Sequence, residues 1–322
     1  MSAKQRLNQR LELANTLRLD GEYAQAHDIL DALSNDPEND VLGHRTSLGL
    51  PRRLQSAYLK LSKAAKDAVA RAGYQYHLVP PPDTLNRLTR FSSDERRDIT
   101  AANRRPVPRA LHQIWIGDAP LPAGTKRWRR HADQYGYEYT LWREADLEEL
   151  GVAGNRVYQD MLSRGDYPGA VDVARYLVLQ KLGGIYLDCD WYPARDDLSF
   201  HDLMPLLGLS VLAEDIPRNT GKGGLLLANS LLATPADHPV FNRLVGTLGV
   251  VMDTLPKAPA WWITGPLIFT LMGRGGSITL ADADIVAGAL SQETAQSDVD
   301  AWCRKNQEED GGLLLAWKSW VW

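Results

Sequence analysis

Two aspartates one residue apart, Asp188 and Asp190, close an apolar run reading Gly183-Gly184-Ile185-Tyr186-Leu187-Asp188-Cys189-Asp190-Trp191-Tyr192-Pro193. With a side-chain period of two, Ile185, Leu187, Cys189 and Trp191 share one face of a strand, and Tyr186, Asp188, Asp190 and Tyr192 share the other. Two carboxylates on one side of a strand, roughly 6–7 Å apart at Cα, repel each other and resist desolvation unless neutralised. A hard divalent cation such as Mn2+ or Mg2+ relieves both problems, because it takes oxygen ligands and keeps positions open for phosphate oxygens. The plain alternative is an exposed strand end with two solvated aspartates, and Asp-x-Asp by itself is common. Upstream, Asp172 and Arg175 stand three apart on a helical segment and share a face; at the least they form an ion pair worth about a few tenths of a kcal/mol.

Alternating strands and helices must position these groups. From Val107 onward, ALHQIWIG reads as a strand, Ala123–Tyr135 as a helix, YEYTLW as a strand, Tyr167–Leu182 as a helix, and GGIYLDCDWYP as a further strand. That order predicts an α/β sandwich with a largely parallel sheet, whose working residues gather where strands end. Ahead of it, residues 5–35 keep helical spacing on either side of a turn at Asp20–Gly21 and resemble one tetratricopeptide-type hairpin. One such unit cannot bury its own face and is expected to dock on a neighbour. A further helix is predicted over Pro51–Ala72, with Leu54, Tyr58, Leu61, Ala65 and Val69 on one face and Lys/Arg on the other.

Composition bounds the class. The chain has 322 residues, 44% hydrophobic and 24% charged, which excludes a disordered or disulfide-scaffold protein and suggests two units. Net charge is −4, without the basic excess of a general nucleic-acid binder. The charge is uneven: residues 1–110 carry 18 Lys+Arg against 13 Asp+Glu (+5), the remainder 18 against 27 (−9), and all ten Trp lie at or after Trp115. The expected organisation is a helical region over residues 1–80, a connector over 81–106 containing the triple proline Pro80–Pro82, and a catalytic domain over 107–322. Two cysteines, no secretory signal and no long apolar run predict a cytoplasmic protein without a membrane span. The basic N-terminal helices offer a peripheral contact to an anionic membrane or an acidic partner, although a solvated helix face is the simpler account.

Gly-Gly-Ile-Tyr-Leu-Asp-x-Asp preceded by VDVARYLVLQKLGG resembles the sugar-nucleotide site of glycosyltransferase family 32, which includes the yeast outer-chain mannosyltransferases. The catalytic domains of the large clostridial glucosylating toxins look like relatives. The resemblance runs from about Pro108 to Trp322 and implies a GT-A-type, Rossmann-like nucleotide-sugar-binding domain. It further implies a metal-dependent retaining transferase that moves a sugar from a nucleotide-sugar donor, a UDP-sugar by preference, to a glycan, lipid-linked glycan or protein acceptor in α-linkage.

By the same resemblance, Trp115 of LHQIWIG stacks on the base with Ile114 beside it. Asp172 and Arg175 face the donor sugar and diphosphate, and Tyr186 lines the pocket. Asp188 and Asp190 serve a Mn2+ or Mg2+ ion, Asp190 directly. Asn229, read as following a strand in GLLLANSLLATPADHP, lies at the donor sugar, and Thr264-Gly265-Pro266 builds the pocket wall. In the tail LLLAWKSWVW, Ser319 helps at the metal and the Trp320 indole N–H donates to a leaving-group oxygen, with Arg175, Asp190 and Trp320 as the catalytic residues. The pattern departs from the family at Leu315 and Ala316, where many members place His, so it supplies no third metal ligand.

Two other classes compete. A haloacid-dehalogenase-type phosphatase also places Asp-x-Asp at a strand end but wants Thr or Val two residues after the second Asp, where this chain has Tyr192. An interaction protein would use the helical N-terminus and keep the transferase domain as a degenerate scaffold.

Overall fold

The computed structural model describes residues 2–46, 49–77, 82–214, 225–256 and 258–319. The chain divides into two compact units, residues 1–86 with 215–226, and residues 87–214 with 227–322.

The first unit is helical. Ser2 caps the helix Ala3–Leu19 through a reciprocal pair with Gln5, and Gly21 at φ +83° turns the chain into the helix Tyr23–Ser34. Leu7, Leu11 and Ala14 pack against Ala26, Leu30 and Leu33, and on Leu54, Tyr58 and Leu61 of a third helix, Arg52–Ala64. The single helix predicted over Pro51–Ala72 is in fact two. Lys66 takes φ +56°, and Asp67 then caps a separate helix, Ala68–Tyr76, by accepting from the Ala70 N–H. An aspartate that can cap favours a new start over continuation. Val69, past the break, is 84% exposed instead of lying on the apolar face.

The second unit is an α/β sandwich. Its strands are β1 (Ala110–Ile114), β2 (Glu138–Trp142), β3 (Gly184–Leu187), β4 (Trp191–Pro193), β5 (Ser210–Ala213), β6 (Leu227–Thr234), β7 (Thr279–Leu280), β8 (Val286–Leu290) and β9 (Leu314–Trp317). Six form the main sheet in the order β2-β1-β3-β6-β5-β7, and three a small sheet in the order β4-β9-β8. β1 is parallel to β2 and β3, but β6 runs antiparallel to both β3 and β5. Only β6 reverses the direction shared by the other five strands of the main sheet, so the sheet is largely parallel, as expected, with one antiparallel strand inside it.

The helix Tyr167–Leu182 has the predicted bounds. Asp166 caps it through the Gly169 N–H, Pro168 occupies its first turn, and Gly183 ends it. Gly183 (φ +68°) and Gly184 (φ +100°) both need to be glycine: a Cβ would fall 2.5 Å from the Ala236 nitrogen at the first and 2.8 Å from the Ala110 oxygen at the second. Apolar side chains cover nearly the whole circumference of this helix, so it is buried. It packs across β1, β3 and β6. Trp128 and Ala132 of the helix Gly124–Tyr135 pack with Leu111, Ile185, Leu187 and Leu231 in the core. Tyr186 and Tyr192, opposite the apolar face in the alternation, are buried as well, at 0% and 2% exposed.

Candidate active site

β3 stops at Leu187. The Asp188 N–H makes a bond to the Ser230 carbonyl, and the chain then turns, with the Trp191 N–H on the Asp188 carbonyl at 3.3 Å, before entering β4 in the other sheet. Asp188 and Asp190 therefore do not lie on one strand, as the alternation suggested; they flank a turn between two sheets. The turn places both at one cleft, whose wall also includes Ile114, Trp115, Tyr186 and Arg175. Cys189 between them points inward, its thiol near the Ile114 carbonyl at 3.3 Å, and packs beside Trp115.

Arg175 is the centre of the charge arrangement. Its guanidinium meets Asp188 Oδ1 at 3.0 Å and Asp172 Oδ1 at 3.3 Å, donates to the Asn229 carbonyl at 2.6 Å, and lies 4.7 Å over the Tyr186 ring. Burial works against its charge, but Asp188 and Asp172 more than compensate, holding it above the ordinary arginine range. The Tyr186 hydroxyl donates to Asp188 Oδ1 at 2.8 Å, so that oxygen is held from two sides.

Asp172 sits one layer deeper, among the buried groups that do not line the cleft. It accepts from the Asn229 amide at 2.7 Å and from the Thr264 hydroxyl at 3.1 Å. Its carboxyl is pushed up to about 6, by burial first, with Asp188 adding to it and Arg175 opposing. Asn229 is the third residue of β6 and buried, not a turn residue after a strand; its amide also donates to the Tyr176 hydroxyl at 3.0 Å.

The Asp190 carboxyl is likewise pushed up to about 6, by burial and then by Asp188, while Lys318 draws it back. Two hard oxygen donors, one sunk carboxylate beside another, suit a hard divalent cation. Among the described residues no group of three or more His, Cys, Asp or Glu gathers to hold a metal. A divalent cation at this cleft would find Asp190 and the remaining oxygen of Asp188 as its protein ligands.

Trp115 follows β1 and lines the cleft, but only 6% of it is exposed, and its indole N–H donates to the Ala119 carbonyl at 2.9 Å. His112 is structural: it accepts from the Trp142 indole at 3.3 Å, pairs with the Gly183 carbonyl at 3.0 Å, and burial pushes it down to about 4. The tail reaches the site through β9, whose Trp317 N–H donates to the Asp190 carbonyl at 2.8 Å. The Ser319 hydroxyl accepts from the Ala123 N–H at 2.9 Å. Trp320 lies outside the described residues.

Three contributors were not foreseen. Tyr176 buttresses Asn229 and donates to the Thr264 carbonyl; its signal was its place one turn after Asp172 on the same helix. Gln113, the polar residue inside an apolar strand, donates to the Asp188 carbonyl at 3.3 Å and accepts from the Tyr139 hydroxyl. Tyr167, 42% exposed at the helix start, stands at the cleft wall.

Residues 122–204, which include both aspartates, match the family described as glycosyltransferase sugar-binding region containing DXD motif. This bears out the resemblance read from the sequence: the matched region is similar to the sugar-binding region of DXD-containing glycosyltransferases. Among curated proteins, the chain is 29% identical to inositol phosphoceramide mannosyltransferase 3 of Schizosaccharomyces pombe, over 54% of this chain and 47% of that protein. It is 28% identical to inositol phosphoceramide mannosyltransferase 1 of the same yeast, over 34% of this chain and 36% of that protein. The chain thus spans about half or less of the length of these relatives. Among solved structures, the PaToxG glycosyltransferase aligns at 18% identity and a TM-score of 0.41, covering 59% of this chain and 76% of that one.

Proposed function

We propose that the protein is a metal-dependent retaining glycosyltransferase that takes a sugar from a nucleotide-sugar donor, with a UDP-sugar favoured, and attaches it in α-linkage to a glycan, lipid-linked glycan or protein acceptor. The observation that carries the reading is the convergence of Arg175, Asp188 and Asp190 on one cleft within the matched region. The base lies along Ile114 and Trp115, since an aromatic and an aliphatic wall suit a flat ring. The diphosphate lies between Arg175 and the aspartates, where a fork of donors matches phosphate oxygens. Asp172 and Asn229 act from behind: they fix Arg175 and the cleft floor, and the donor sugar rests on the network they form.

The bond from the anomeric carbon to the β-phosphate oxygen breaks, and a bond from that carbon to the acceptor oxygen forms on the same face. The acceptor proton goes to the departing phosphate. Arg175 stabilises the charge that collects on the leaving group, as does the Trp320 indole N–H, in the manner of a preorganised electrostatic site, while Ser319 serves at the metal. A Mn2+ or Mg2+ ion held by Asp190, with Asp188 beside it, supplies Lewis-acid stabilisation of the diphosphate when bound.

The N-terminal helices act as a tetratricopeptide-like docking element. No helix of the described residues is long and apolar enough to cross a membrane. A cytoplasmic location is supported by Cys189 and Cys303, which are both free and buried. Because two relatives are named for mannosyl transfer to inositol phosphoceramide, mannose donors and that lipid belong in any test panel.

The test is release of nucleoside diphosphate from a panel of UDP- and GDP-sugars with Mn2+, with and without acceptors. Turnover of one donor by the native chain, lost in Asp190→Asn, is expected. Turnover unchanged in that variant would remove Asp190 from the chemistry.

A further inference from the structure

In the N-terminal unit a cleft of about 480 Å³ opens between the helices Ala3–Leu19 and Arg52–Ala64. Its floor is apolar, with Leu11, Ala14 and Leu61 among the lining residues, and its rim carries Arg18, Arg53 and Lys60 against a single carboxylate, Glu12. Two arginines of this unit outside the cleft are neutralised: Arg6 pairs with Asp36 and Glu38, and Arg45 with Asp40. The rim cations are treated differently. Arg53 donates to the neutral Asn8 amide oxygen at 2.5 Å, Arg18 to the Asn15 amide oxygen at 2.9 and 3.3 Å, and Lys60 has no ion pair among the described residues. The two amides hold the guanidinium groups in place without cancelling their charge. The cleft is therefore a positioned rim of three cations against one carboxylate above an apolar floor.

We propose that this cleft binds an acidic peptide segment of a partner protein, with interspersed apolar side chains that reach the floor. Charge complementarity selects the acid, and shape selects a peptide. A bilayer surface is flat and is met by protruding apolar side chains, whereas here the apolar groups are recessed and the cations stand at the edge, as in grooves that accept one chain. The proposal concerns a surface of the N-terminal unit and does not depend on the transferase reading.

The test presents the full-length chain to an array of peptides of about twelve residues, acidic, neutral and basic, each containing Leu. Retention on the acidic set is expected, weakening as salt is raised. The double variant Arg53→Glu/Lys60→Glu is expected to bind at least about tenfold more weakly, while Lys63→Glu, on the same helix but outside the cleft lining, binds as the native chain does. The milder Arg53→Gln/Lys60→Gln, with helicity checked by circular dichroism, separates lost charge from lost fold. Equal retention on all three sets, or acidic binding indifferent to the double variant, would overturn the proposal. So would capture by phosphatidylserine vesicles, but not by acidic peptides, that the same double variant abolishes.

Discussion

Two arginines of the second unit are equally covered, each with a side chain only 5% exposed, yet Arg195 lies close to the surface and Arg175 deep inside. Arg195 makes a two-pronged pair with Asp197, both bonds at 2.8 Å, and reaches Asp310 at 2.9 Å and the Gly311 carbonyl at 2.6 Å. Its carboxylates stay wet, with side chains 46% and 90% exposed, so only one charge has been taken out of water. The result fastens the end of β4 to the chain entering β9. Arg175 instead draws its carboxylates in with it, Asp172 at 10% and Asp188 at 27%. Burying two carboxylates around one guanidinium costs more than a fastening requires. The excess coincides with the Asp-x-Asp turn, and the proposed donor site would account for it.

The largest effect should come from breaking that contrast directly. Arg175→Ala leaves two sunken carboxylates without their cation and is expected to cost about 3–5 kcal/mol of stability, read by urea denaturation. Arg195→Ala lets Asp197 and Asp310 return to water and should cost clearly less, about 1–2 kcal/mol. Equal losses would erase the distinction between the two sites. Next in size, Asn229→Ala removes the amide that joins Asp172 to the Tyr176 hydroxyl. The expected loss is about 1–3 kcal/mol, together with weaker donor binding in calorimetry; unchanged binding would detach the deep network from the cleft.

A smaller effect sharpens the comparison through pH. His112 has both ring nitrogens engaged, whereas His131 has neither engaged among the described residues and sits among Trp128, Tyr135, Tyr137 and Phe200. Burial holds both imidazoles down to about 4. Between there and the unfolded value near 6.5 the unfolded chain binds more protons. These histidines therefore add stability above pH ~6.5 that is lost as pH falls towards ~4. Asp172 and Asp190, both pushed up to about 6, act in the opposite sense over the same range. His131→Phe should flatten the acid-side loss in thermal melts and raise stability at pH 7 by about 1 kcal/mol, because Phe leaves no unpaired polar atom. His112→Phe flattens the same loss but should lower stability, since the Gly183 carbonyl and the Trp142 indole lose their partner. A stabilised His112→Phe would reverse that assignment.

Much of this was legible in the sequence, and what was not has local causes. The helix Tyr167–Leu182 was readable to its ends because a capping Asp, a first-turn Pro and a closing Gly announce them. The direction of β6 was not, because nothing in LANSLLAT says which way it meets β3, its partner some forty residues back. The same run hid the place of Asn229: apolar on both sides, it belongs to a strand covered on both faces, where period two carries no signal. Asp188 and Asp190 were singled out by their spacing but placed on the wrong element, since alternation cannot reveal that the ladder ends at Leu187. The roles given to Trp115, Arg175 and Asn229 came from matched blocks and not from local physics, which by itself favours core or turn residues at those positions.

The most direct test of the central claim is calorimetric titration of UDP-sugars and GDP-sugars into the native chain and into Asp190→Asn, each with Mn2+ and with chelator. If the Arg175–Asp188–Asp190 cleft is the donor site, one sugar nucleotide binds the native chain only with metal present, and the variant loses that metal-dependent binding. Binding of equal strength in the native chain and the variant, indifferent to metal, would contradict the account.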